Sequence, residues 1–395
     1  MNADMRQIRL RGAACLLWLL IFLFVCADVV RRPLRHNTTP TYRLASLQWW
    51  EGQDPYSARN HDGFFYFPQA AFLFTPFTWG PFLVGELLCR FLSFTLFGYA
   101  LIRLQKFFLD SQDSVPGKTL LYLALLSLPS ALASLRNAQF DLPVASLVIL
   151  TAAEVAASRW KMATLWLCLA VALKPLGLVP LLLFAALYWK LIPRLVLGLL
   201  IVLALPFLHQ HPAFVIHEYV RCFQSLAFAS KAEEPRYSDL AALLAHLSIY
   251  PPDWLKTAGR LVAAPVFLGL GAAAVRRLTR IDAAWAVGAL SAVYLMLFNP
   301  RTETCSFVFL GAFSASLALR LAHEPNRRWL TISLAFASLG FACDAIPYIH
   351  GLTDRWSKPL LAVLFLPVLI YFILRKPHSA STVIPTSREP QAALL

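Results

Sequence analysis

The feature that most constrains this chain is a succession of apolar runs of about eighteen residues or more, laid end to end and divided by short polar connections. Runs of that length suffice to cross the hydrocarbon core of a bilayer, where only helices and closed barrels satisfy every backbone polar group. With 58% hydrophobic and only 14% charged residues in 395 positions, the composition calls for no soluble domain. The chain reads as an all-α polytopic membrane protein. Allowing about twenty apolar residues per span, helices fall near 13–30, 82–105, 117–135, 140–158, 161–174, 176–190, 194–209, 258–275, 282–299, 304–321, 329–346 and 358–374, a bundle of about twelve.

Between the first two spans, Phe64 to Trp79 is apolar but interrupted at Pro68 and Pro76, which suits an interfacial or re-entrant segment better than a spanning one. The first run, Cys15 to Ala27, follows Arg6, Arg9 and Arg11 in the manner of a signal peptide. No small-x-small cleavage site follows, so it is read as a retained helix. Residues 1–376 are expected to form a single transmembrane domain, with outer loops at 31–81 and 209–257. The Pro/Ser/Thr-rich tail, 377–395, is expected to be disordered and cytoplasmic.

A net charge of +14 would suit a nucleic-acid partner, but the charges are distributed otherwise. With the N-terminus in the cytoplasm, the inner connections hold Arg103, Lys106, Lys118, Arg159, Lys161, Lys190, Arg276, Arg277 and Arg327, and the inner side carries nearly all of the excess. That is the positive-inside pattern of a multi-pass protein of the cytoplasmic (inner) membrane, with both termini cytoplasmic and no nucleic acid implied. The seven cysteines lie mostly within apolar runs, with no CxxC pair, as buried thiols do.

The outer connections hold the polar inventory. Glu51-Gly52-Gln53-Asp54-Pro55-Tyr56 is a turn-rich stretch beside Trp49 and Trp50, and Phe65-Tyr66-Phe67-Pro68 follows it. Aromatic side chains of this kind either stack on sugar rings or form a belt at headgroup level. Lys174 ends one apolar run and Pro175 begins the next, leaving an ammonium at a chain break near the membrane boundary, where it requires an anion. Asn299-Pro300-Arg301-Thr302-Glu303 joins two spans on the same side, with a guanidinium suited to a phosphate and a carboxylate two residues on. Arg136 is a third cation expected there, and together they make a seat for a phosphate at the membrane surface. His209, His211 and His217 do not have the spacing of a structural zinc site. No cofactor is called for, and a divalent metal is possible but unsupported by any ligand set.

In order and spacing these residues resemble glycosyltransferase family 87, the polyprenol-phosphate-dependent membrane glycosyltransferases of the GT-C class, from about Tyr42 to Leu321. Gly52 to Tyr56 is similar to the family's G-x-x-P-Y, Tyr66-Phe67-Pro68 to its Y-x-P, Asn137 to Asp141 to its G-Q-x-N region, and Lys174-Pro175 to its K-P at a helix end. Two stretches depart from the pattern. The place of the aspartate that typically precedes a tyrosine after the first helix reads Asn37-Thr38-Thr39-Pro40-Thr41, without an acid, and in the G-Q-x-N region position 138 is alanine where glycine is expected and Asp141 replaces asparagine.

The resemblance implies a GT-C-like bundle with outer-face interfacial helices. It implies a hexosyltransferase that passes a sugar from a polyprenyl-phosphate donor to a glycan or glycolipid acceptor at the extracytoplasmic (periplasmic) face, with membrane lipid around it. Lys174, Arg301, Arg136 and Arg43 are the candidate phosphate ligands. Glu303, Asp141, His36 and Asp62 are the candidate bases, and Tyr42, Trp49, Trp50, Tyr56, Tyr66, Gln139 and Asn299 are expected to line the substrate cavity. The competing classes are a non-enzymatic carrier of lipid-linked saccharide and a polymerase or ligase of surface polysaccharide.

Overall fold

The computed structural model describes residues 3–57, 63–109, 116–230, 237–324, 326–343, 353 and 355–375. Among the described residues it is all helical, without a strand. In chain order the helices are α1 (Ala3–Arg31), α2 (Thr39–Trp50), α3 (Pro68–Leu73), α4 (Phe82–Leu104), α5 (Pro116–Arg136), α6 (Asp141–Ala156), α7 (Trp160–Leu173) and α8 (Leu178–Leu187). They continue as α9 (Ile192–Ala204), α10 (Pro212–Ser230), α11 (Leu240–His246), α12 (Asp253–Arg277), α13 (Arg280–Phe298), α14 (Val308–Leu321), α15 (Arg328–Gly340) and α16 (Ser357–Leu374).

Each apolar run read from the sequence forms a helix within its described residues, yet among those residues eight helices are long and apolar enough to cross a membrane: those within 7–31, 82–109, 117–136, 189–208, 253–277, 280–298, 304–321 and 357–374. The remaining runs form α6, α7, α8 and α15, of 16, 14, 10 and 13 residues. At about 1.5 Å per residue these fall short of the roughly 30 Å hydrocarbon core. For α6 the reason is its position, since every residue from Asp141 to Val155 is buried. A helix enclosed by its neighbours has no lipid to match. The Phe64 to Trp79 segment forms α3 and a single 3₁₀ turn, Thr75–Phe77, each with proline in its first turn. The second outer loop is largely ordered, as α10, α11 and the start of α12. The tail from 377 and His350 lie outside the described residues.

The layers follow from side-chain size. The spans of α13 and α14 are 83% buried and rich in Ala, Gly and Ser, which lets backbones approach closely without a large apolar interface. Their hydroxyls are satisfied within the bundle: Ser314 Oγ donates to Leu334 O at 2.9 Å, and Ser316 Oγ accepts from Trp285 Nε1 at 3.0 Å. By contrast α1, α9 and α12 expose Leu16, Phe24, Leu197, Leu200, Leu261 and Val262, as helices facing lipid do.

Successive helices alternate between two ends of the bundle, as their terminal contacts show. At one end Arg103 pairs with Glu154 at 2.8 Å, Arg320 with Asp282 at 3.1 Å and Arg375 with Glu324 at 2.5 Å, while Arg280 Nε donates to Val155 O at 3.3 Å. At the other end Arg136 pairs with Asp28 at 2.5 Å, Lys174 with Asp141 at 2.8 Å, and Lys358 Nζ donates to Thr304 O at 2.8 Å. That second end also holds a separate aromatic core, in which Tyr42, Trp49, Tyr56, Phe64, Phe67, Phe74 and Phe140 are all buried.

The α7–α8 junction shows how the sequence positions a charge within this frame. Pro175 bars Lys174 from the helical region, and Lys174 is extended at φ −152°, ψ 137°. The chain then closes a 3₁₀ turn, Pro175–Gly177, against α7 so tightly that a Cβ on Gly177 would lie 2.5 Å from the Ala170 carbonyl carbon. Gly177→Ala is therefore expected to lower stability by about 1–3 kcal/mol or more, read as a lower midpoint of thermal unfolding in detergent.

Candidate active site

At the second end a cavity of about 690 Å³ opens between α2, the 63–66 segment, the α7–α8 break, α10 and the 299–304 connection. Its walls divide by chemistry. Leu176, Leu178, Val179, Leu226, Leu295 and Phe298 line it with apolar surface, and Tyr42, Tyr66, Lys174, Asn299, Arg301 and Glu303 line it with polar or charged groups.

Lys174 Nζ donates to both oxygens of Asp141, at 2.9 and 2.8 Å, and the carboxylate has no exposed surface. Asp141 opens α6, where its charge also faces the positive helix end. The Arg301 guanidinium carbon lies over the Phe65 ring, 4.1 Å from its centre, and 5.2 Å from that of Tyr237. The Glu303 carboxylate accepts from Gln139 Nε2, and the Gln139 Oε1 in turn accepts from the Cys305 thiol. The amide is thus oriented by its partners on both sides. Tyr42 and Tyr66 share a hydroxyl hydrogen bond at 2.8 Å and both pack on Phe140. Burial pushes both phenols well up, so they meet a substrate as neutral hydroxyls.

Of the residues expected from the sequence, six line the cavity: Tyr42, Tyr66, Lys174, Asn299, Arg301 and Glu303. Asp141 and Gln139 stand directly behind Lys174 and Glu303. The others are placed elsewhere. Arg136 is held by Asp28 and by the Arg35 carbonyl at 3.3 Å, and Arg43 donates to the carbonyls of Phe77 and Gly80, each at 3.2 Å. Trp49 is buried against Phe214, Trp50 Nε1 donates to Thr75 Oγ1, and the Tyr56 hydroxyl donates to Tyr66 O at 2.6 Å. His36 is exposed between α1 and α2, and Asp62 lies outside the described residues. Phe65, Tyr237, Tyr294 and Asn37 line the cavity without having been singled out as site residues. Two of them are flanked by a legible signal, the aromatic cluster 64–67 and the acid-free stretch from Asn37.

Asn37 has all its hydrogen-bonding capacity engaged. Its Nδ2 donates to Glu86 Oε2 at 2.6 Å and Pro33 O at 2.7 Å, and its Oδ1 accepts from Thr39 N at 3.1 Å and Arg90 Nη2 at 3.2 Å. Glu86 and Arg90 are buried and paired at 2.5 Å, and Arg90 also donates to Arg136 O at 2.7 Å. An acid at 37 would turn a carboxylate toward the Glu86 carboxylate. Position 138, meanwhile, has φ +51°, which explains why glycine suits it and why alanine there is strained.

The family model for glycosyltransferase family 87 matches residues 64–300, more than half of the chain. The chain belongs to glycosyltransferase family 87. No curated protein and no solved structure is matched. The matched stretch runs from the aromatic cluster to Pro300, so Lys174 and Asn299 fall within the family region, while Asn37, Tyr42, Arg301 and Glu303 flank it. The cavity of this membrane glycosyltransferase is thus lined by residues of the family segment and by residues on both sides of it.

Beside the cavity, α10 clamps the opening turn. Asp54 Oδ1 accepts from Tyr56 N at 2.7 Å, and its Oδ2 pairs with Arg221 at 2.9 Å. About one helical turn earlier, buried Glu218 contacts His217 Nδ1 at 3.0 Å. Burial, aided by the Asp54 charge, pushes the Glu218 carboxyl up to about 7 against the partial relief from His217. Two predictions follow from these contacts. Asn37→Asp is expected to lower the unfolding midpoint, whereas Asn37→Ser keeps a donor and is milder. Because the folded pKa of Glu218 exceeds the unfolded value, the folded state holds the extra proton, so stability falls as pH rises from about 4.5 to about 7. Glu218→Gln is expected to flatten that slope in detergent melts taken across the range.

Proposed function

We propose that this family 87 member transfers a sugar from a polyprenyl-phosphate donor to an acceptor hydroxyl at the extracytoplasmic face of the cytoplasmic membrane. The observation that carries the reading is one cavity lined both by Lys174, Arg301 and Glu303 and by the apolar Leu176, Leu178, Val179 and Phe298. A lipid phosphate has that same division, a charged head on an apolar chain. In the transfer, the acceptor oxygen bonds to the anomeric carbon as the bond from that carbon to the phosphate oxygen breaks. The electron pair leaves on the phosphate, and the acceptor proton passes to a base.

Lys174 and Arg301 are the groups placed to meet the charge that develops on the leaving phosphate. Asp141 holds the ammonium, and Phe65 supports the guanidinium from below. Glu303 is the preferred base, because it faces the cavity while Asp141 is enclosed behind Lys174. Gln139 orients it. Arg136 and Arg43 leave the donor set in this reading, since each is held by groups outside the cavity. The positive-inside charge distribution supports an outward-facing cavity: the opposite end of the bundle collects Arg103, Arg159, Arg280, Arg320, Arg327 and Arg375.

In membranes supplied with a polyprenyl-phosphate hexose, Lys174→Ala, Arg301→Ala and Glu303→Gln are each expected to reduce transfer by about 10²–10³-fold. Full transfer by both cation variants would remove the donor seat from this cavity. Movement of labelled lipid-linked sugar across the bilayer without any glycosylated product would replace the enzyme by a carrier.

A further inference from the structure

A second cavity, of about 310 Å³, lies against the first and shares Phe65 with it. Its other walls are Arg221, Gln224, Ser225 and Phe228, spaced i, i+3, i+4 and i+7 along α10, so they form one continuous face of that helix. The volume is at the lower end of the range for small-molecule pockets, the size of one ring rather than of a lipid chain.

The chemistry of the face is mixed along its length. Arg221 is paired with Asp54 at 2.9 Å, so its guanidinium contributes donors without a net positive charge, and its Nη1 also donates to Gln224 Oε1 at 3.3 Å. Next come a primary amide and a hydroxyl, each both donor and acceptor. Phe65 and Phe228 border this polar stripe with aromatic surface, and Phe228 is 46% exposed. Alternating donors and acceptors between aromatic faces match a pyranose, whose hydroxyls lie around an apolar C–H surface. An acyl chain laid along this face would be interrupted by Arg221, Gln224 and Ser225.

We infer that the α10 face of Arg221, Gln224, Ser225 and Phe228, with Phe65, is a subsite for a neutral hexosyl unit of the acceptor. This deepens the reading above and rests on it, because Phe65, which carries Arg301 on its ring at 4.1 Å, is then the shared wall between the acceptor sugar and the donor phosphate. An acceptor seated there has its hydroxyls next to the cavity where Glu303 waits for the proton.

The test measures two probes separately on full-length protein in lipid nanodiscs. Octyl glucoside, octyl mannoside and octyl galactoside below their micellar concentrations report the subsite, with octanol as the tail-only control, and farnesyl phosphate reports the donor seat. Gln224→Ala and Ser225→Trp, both on the accessible face of α10, are expected to weaken binding of the preferred hexoside by about tenfold or more and to leave farnesyl phosphate within about twofold. Lys174→Ala is expected to do the reverse. Hexoside affinity no better than octanol in the unsubstituted protein, or unchanged in both α10 variants, overturns the subsite. Farnesyl phosphate binding indifferent to Lys174→Ala overturns the donor seat alone, and the hexoside arm is still decided by the α10 variants.

Discussion

The ion pair between Lys174 and Asp141 is the contact on which the cavity depends. Both groups sit at helix ends, one where proline halts α7 and one where α6 begins, and the carboxylate has no exposed surface. Removing either partner would leave a charge in a place that cannot solvate it. The pair therefore fixes three things together: the break between α7 and α8, the entry to α6, and the loop carrying Gln139. Through Gln139 it also bears on Glu303, so an acid from one half of the chain and a cation from the other are registered by the same short stretch.

The helical bundle was legible because lipid leaves so few solutions for a backbone. Apolar length gave the helices, and prolines at 68, 76 and 175 gave the interruptions. The number of long spans was not legible in the same way. A hydropathy pattern cannot tell a helix that meets lipid from one sealed inside a bundle, and α6 is the latter, freed from the thickness of the bilayer by its neighbours. That the span count exceeds the eight long helices is the direct result.

The site was legible in part, for a related reason. Lys174, Arg301 and Glu303 stood out as charges at boundaries where a bare charge is expensive. Arg136 met the same criterion, but its cost is met by Asp28, a partner far away in the chain that no local pattern announces. Asn37 went the other way. It drew notice only as the absence of an acid, whereas it joins α4 to the α1–α2 turn through Glu86 and Arg90. Phe65 was visible as part of an aromatic cluster, but its service as a platform for a guanidinium emerges only when the 299–304 connection is brought over it.

The buried Arg90 ties α4 to Asn37 and to the carbonyl of Arg136, and so braces one wall of the cavity. Displacing the wall that carries Asn37 and Thr38 would strip partners from a guanidinium with almost no contact with solvent. The α10 wall, which presents Leu226 and Ala229, is braced as well, by the Arg221–Asp54 pair at 2.9 Å and by the Tyr219 hydroxyl on Gln69 Oε1 at 3.0 Å. The shape of the cavity is therefore set by polar contacts on both walls before anything enters it.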